Sequence, residues 1–161
     1  MKKHVCTLRY VSLFFGVIVI ISTMLPVFTY ENTTYLGHEI IFGKEILNIN
    51  PFDLGTIAKA WIPFSWVALT AFSLPIISGV LVIMHQKYAP LSLLLVLTSL
   101  FMMLSLPNGI VLMYQLGNSE SSLSVAWEIA YGLIIAIGSV LMSILTHFWI
   151  VVSTNSFKLK A

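Results

Sequence analysis

Four long apolar stretches alternate with shorter polar ones along this chain. They run over residues 11–30, 64–84, 91–114 and 125–152. Each is close to or above the ~20 residues a helix needs to cross a bilayer core. Lipid offers no partner for backbone N–H and C=O groups, so apolar runs of that length predict helices. The expected fold is all-α: a four-transmembrane-helix bundle forming a single membrane domain over residues 1–161, with a short tail at 153–161.

Residues 31–63 form the largest polar interruption. Thr34–Leu36, Glu39–Phe42 and Glu45–Ile49 are short β-prone runs separated by Gly37 and Gly43, the pattern of a small hairpin. Asn50, Pro51 and Asp53 then supply a cap, a first-turn proline and a first-turn acid. Leu54, Ile57, Ala58 and Trp61 recur at helical spacing, which predicts an amphipathic helix over 51–61 lying at the membrane interface. Hairpin and helix together make a small cap. The second polar interruption, 115–124, is rich in glycine and serine and reads as an exposed loop.

Charge gives the layout a direction. Lys2, Lys3, Arg9, Lys87, Lys158 and Lys160 fall in the two tails and the short link between the second and third spans, where no acid occurs. Glu31, Glu39, Glu45, Asp53, Glu120 and Glu128 all fall on the opposite side, with Lys44 and Lys59. Cationic flanks stay in the cytoplasm during insertion, so both termini are expected there, in a multi-pass protein of the cell membrane. The basic, aliphatic N-terminus suits a bacterial chain. Only 9% of the 161 residues are charged and 58% are hydrophobic, and mean hydropathy is +0.98, far from soluble-domain composition. A single cysteine, Cys6, excludes a loop disulfide and dithiol redox chemistry.

Small residues mark packing faces. Ala71, Pro75, Ser78 and Gly79 align on the second span, and Gly132, Ala136, Ser139 and Ser143 on the fourth. Such stripes let backbones approach closely, either within the bundle or against another membrane protein or a second copy. Pro75 and the triplet Pro107-Asn108-Gly109 predict kinks or breaks. Tyr10, Tyr30, Trp61, Trp66, Tyr88, Trp127 and Trp149 are placed as interfacial anchors.

Candidate chemistry is sparse. Glu128, expected in the first turn of the fourth helix, is the only carboxylate near the hydrocarbon region, and intramembrane acids are often functional. Its place beside Trp127 equally suits a helix-start glutamate reaching headgroup water. His38, Glu31, Glu39, Glu45 and Asp53 share one loop but lack metal-ligand spacing, so neither metal nor cofactor is expected. His85 and His147 read as interfacial. No nucleophile elbow, phosphate loop or basic nucleic-acid surface is present, so enzyme and nucleic-acid roles are not expected.

Cytoplasmic termini with a first outer loop longer than the second make a layout that resembles four-span proteins of the claudin type. The Gly-Leu-Trp segment and paired cysteines of that family's first loop are missing here. Small multidrug transporters also have four helices but depend on a glutamate in the first, where this chain has none. The expected function is that of a non-enzymatic accessory or regulatory subunit of a larger transport, secretion or signalling complex. The alternative is a small homo-oligomeric transporter or channel subunit.

Overall fold

The computed structural model describes residues 2–49, 58–117 and 119–158. Four long helices dominate: α1 (Lys2–Ser22), α3 (Trp66–Met84), α4 (Ala89–Gly109) and α5 (Tyr131–Lys158). Within or across them, Val5–Ser22, Trp66–Met84, Gln86–Gly109 and Tyr131–Ser153 are long and apolar enough to cross a membrane. A 3-10 turn at Gln86–Tyr88 links α3 to α4. Helix α1 packs on α3 and α5, and α4 packs on the same two, so α3 and α5 sit across a diagonal.

The remainder is not the single short hairpin with an amphipathic helix that the sequence pattern predicts, and the run Glu39–Phe42 lies in a short helix rather than a strand. Among the described residues seven strands form two antiparallel sheets, and the fold is mixed α/β rather than all-α. The first sheet has the order β2 (Thr33–Leu36), β1 (Pro26–Tyr30), β7 (Glu128–Ile129). The second runs β3 (Lys44–Ile49), β4 (Ala58–Ile62), β5 (Val111–Leu116), β6 (Ser119–Ser124). The short helix α2 (Gly37–Phe42) connects β2 to β3. Every strand lies at the same end of the bundle, opposite the 3-10 turn.

Three predicted spans therefore overshoot. Helix α1 ends at Ser22, where the Ser22 and Thr23 hydroxyls donate to Val19 and Ile20 carbonyls at 2.6 and 2.7 Å; Pro26 then opens a strand. Residues 31 and 32, both with positive φ (47° and 65°), close the β1–β2 hairpin at the Tyr30–Thr33 pair in the backbone region such two-residue turns need. Helix α4 stops at Gly109 and the chain continues as β5. Helix α5 starts at Tyr131, after β7. Apolar strands such as 26–30 and 111–116 carry no periodicity that separates them from helix ends.

The predicted amphipathic helix fails where it can be seen. Residues 50–57 lie outside the described residues, and Ala58–Ile62 is a strand. Its alternation explains this: Ala58, Ala60 and Ile62 share one face and Lys59 and Trp61 the other, a period of two. With β3 on one side and β5 on the other, its backbone groups have partners along both edges. The expected loop at 115–124 is likewise a hairpin, turning at Gly117 (φ +58°).

Candidate interaction surface

The second sheet carries its own sidedness. Antiparallel partners project to the same face, so the register places Leu47, Ala60, Tyr114 and Ser121 in one row, and Ile49, Ala58, Leu116 and Ser119 in the next. The same face carries the pairs Lys44–Ile62 and Leu112–Leu123. Apart from Lys44 at one corner and the serines of β6, this face is apolar. Near the bundle it is covered: Ile62 is buried and Leu112 packs on the core. Farther out and toward the β6 edge it is open, with Leu47, Ile49, Leu116 and Leu123 exposed by 47, 45, 59 and 49%.

The opposite face is polar and internally paired. Glu45 sits 2.9 Å from Lys59 and accepts from Asn48 Nδ2 at 2.9 Å. The Lys59 ammonium lies 5.5 Å above the Trp61 ring. Bonds from Lys59 and then from Asn48 hold the Glu45 carboxyl below its ordinary value, against a small opposing effect of burial. Beside α2, Glu39 bonds to Lys44 at 2.7 Å and accepts from the Leu36 N–H at 2.9 Å. Burial pushes the Glu39 carboxyl up, but Lys44 and the Leu36 N–H outweigh it and hold it low. Burial also raises the Tyr35 phenol, partly offset by Lys44, which stands 5.5 Å from that ring.

The first sheet is fastened to the bundle by aromatics. Trp127 is buried, and its indole Nε1 donates to the Ile110 carbonyl at 2.9 Å. Its ring centroid lies 5.9, 6.0 and 5.2 Å from those of Phe28, Tyr30 and Tyr35. Trp127 is thus a core residue rather than a membrane anchor, and Trp61 lies half-buried in the second sheet. Tyr30 is half-buried in that aromatic cluster. Trp66, Tyr10, Tyr88 and Trp149 are exposed, Trp66 by 70%.

No family model matches this chain. No curated protein and no solved structure is similar to it either. The reading of function therefore rests on the geometry of the chain itself.

Glu128 lies in β7, opposite Thr29, exposed and outside the span Tyr131–Ser153. The Thr29 hydroxyl lies 3.4 Å from its carboxylate. Glu128 therefore lies in a strand ahead of the candidate span, not in the first turn of the fourth helix. Both small-residue stripes are spent inside the bundle. A Cβ on Gly79 would stand 2.8 Å from Leu13 Cα, and one on Gly16 2.8 Å from Ile76 Cα, next to Pro75. The stripe of α3 therefore meets α1, and Ala71 is capped by α4, where Ser99 Oγ donates to the Ala71 carbonyl at 2.7 Å. Gly132 abuts Pro26 and Leu25, and Ala136, Ser139 and Ser143 are buried.

One ionisable group lies deep in the bundle where the sequence pattern points to the interface. His147 is 0% exposed. Its Nδ1 stands 2.7 Å from the Ser143 carbonyl and its Nε2 3.1 Å from Ser12 Oγ on α1. The Ser143 and Ser78 carbonyls and the Ser12 hydroxyl surround the ring; the tautomer that donates from Nδ1 to Ser143 leaves Nε2 to accept from Ser12. The missed signal is Ser143 one helical turn before His147; Ser12 is too distant in sequence to be suspected.

Proposed function

We propose that this chain is a non-enzymatic accessory protein of the cell membrane, spanning it four times with both termini cytoplasmic. Its two sheets then stand outside the membrane and present a folded surface to a larger membrane complex. The single observation that supports this is the open apolar face of the second sheet. Polar termini of a sheet are ordinary, but a contiguous apolar area beyond the bilayer marks an interaction site. The internal packing of α1, α3, α4 and α5 agrees with it. Glycine and serine contacts close the bundle on itself, so those two stripes are not free for a partner. Support for the orientation comes from charge, since Glu31, Glu39, Glu45, Glu120 and Glu128 all lie on the sheet side and the short link and tails carry cations and no acid.

Gentle solubilisation of native membranes holding a tagged copy tests the reading. A second polypeptide should accompany the chain in fixed proportion. Recovery of the chain by itself, after mild detergent and chemical cross-linking alike, would contradict it.

A further inference from the structure

The second sheet has two edges, and they differ. Strand β3 carries Lys44 and Glu45 and a register irregularity between Glu45 and Leu47, the devices by which proteins discourage pairing at a sheet edge. Strand β6, Ser-Glu-Ser-Ser-Leu-Ser, pairs with β5 without interruption from Val111–Ser124 to Leu116–Ser119. All six of its residues are exposed. It holds no proline, no lysine and no bulge. Two residues separate Leu116 from Ser119, so that pair is hydrogen-bonded, and alternation makes Tyr114–Ser121 and Leu112–Leu123 hydrogen-bonded too. The N–H and C=O groups of Glu120, Ser122 and Ser124 consequently point away from β5. On the apolar face this edge borders Leu123, with Leu116 one strand further in; on the other it carries Glu120, which has no ion-pair partner among the described residues.

We infer that β6 is a strand-addition site for an extended segment of another polypeptide, one alternating apolar residues with basic ones. This rests on the accessory-protein reading and names the partner's chemistry. Main-chain bonds to Glu120, Ser122 and Ser124 provide the affinity, as in other strand-addition complexes. Apolar side chains of the added strand extend the rows that begin at Leu47 and Ile49, beside Ser121 and Ser119, and cover Leu123. A lysine or arginine on the alternate positions meets Glu120. The charge is what selects a basic strand over an acidic one.

The test uses the full chain in nanodiscs and a labelled peptide of about eight alternating valine and lysine residues, the length of an ordinary strand. The peptide should bind, and a version N-methylated at the amides facing β6 should bind about tenfold more weakly or worse, one lost tenfold step being about 1.4 kcal/mol. Ser122→Pro removes an outward N–H without touching the β5 ladder, and should cost a similar factor while leaving thermal unfolding unchanged. Glu120→Lys should reverse the preference toward a valine–glutamate peptide. Equal binding of the N-methylated peptide, or no binding of either peptide, overturns the inference; this arm stands even if Ser122→Pro misfolds. A wild-type dimer that Ser122→Pro converts to monomer would put a second copy on the edge and also overturn it. If a partner co-purifies equally with wild type and a folded Ser122→Pro chain, the accessory reading survives and the β6 site fails. If nothing co-purifies with wild type, the accessory reading itself fails.

Discussion

Ser12 Oγ lies 3.1 Å from His147 Nε2, across 135 residues of sequence, and ties the first helix to the last. Hydrogen bonds between helices in a bilayer contribute about 0.6 kcal/mol on average and up to about 1.7. A double-mutant cycle with Ser12→Ala and His147→Leu should return a coupling in that range. Reversible unfolding in mixed micelles measures it, and zero coupling would mean the two side chains do not support one another.

The α1–α3 contact makes a harsher prediction. A Cβ at Gly16 or Gly79 falls under 3 Å from opposing backbone, where no flexible side chain can yield. Gly16→Ala and Gly79→Ala should each destabilise the bundle by about 1–3 kcal/mol, the cost of overpacking. Gly138, with nothing within 4 Å of such a Cβ, is the control. Thermal melts in detergent should show Gly138→Ala near wild type.

Trp127 holds the first sheet to the bundle through the Ile110 carbonyl and three aromatic rings. Trp127→Phe keeps much of the ring packing and leaves that buried carbonyl without its donor, a loss of about 1–3 kcal/mol. Trp127→Ala should cost about 3–5 kcal/mol. Amide exchange of residues 26–36 and 128–129, compared with that of α4, shows whether the loss is confined to this sheet.

The cap should loosen in acid. Glu39 and Glu45 are both held below their ordinary value of 4.5. A carboxylate so lowered stabilises the fold fully above its unfolded value and loses that contribution as pH falls through the folded one. Amide protection in 36–49 and 58–62 should therefore persist near pH 5 and fall at more acid pH. Lys44→Met removes the cation that lowers Glu39, so loosening should begin at higher pH. A pH-independent protection pattern would show that neither ion pair holds the cap.

How much of this was legible beforehand follows from the physics of each signal. Four lipid-compatible helices can be read from apolar length alone, because long unbroken runs such as 131–153 leave no other reading. The strands cannot. Val27 and Phe28 are as apolar as the helix before them, and what makes their segment a strand is the pairing of Pro26 and Phe28–Tyr30 with residues 33–36 and of Phe28 and Thr29 with 128–129. Ser119–Ser124 shows no alternation of its own; it becomes a strand because β5 offers it an edge. Ala58–Ile62 has the alternation, but the recurrence of Leu54, Ile57, Ala58 and Trp61 mimics a helical stripe. Small-residue stripes were visible, but not that α3 would turn its stripe to α1. His147 and Ser12 meet only through the packing of helices from opposite ends of the chain. The open apolar face of the second sheet was hidden for the same reason: its rows are assembled from 44–49, 58–62 and 111–124, and exist only once the register is known.

The most direct test of the whole account is impermeant maleimide labelling of intact cells. Cys6, the only cysteine, is replaced by serine, and single cysteines are placed at Glu31, Gln115 and Ser122 in the sheets' end and at Lys87 in the short link. Four membrane crossings with both sheets outside predict that the first three label on intact cells and that Lys87→Cys, like native Cys6, labels only after permeabilisation. Labelling of Lys87→Cys from outside, or protection of residues 115 and 122 until the membrane is opened, would contradict it.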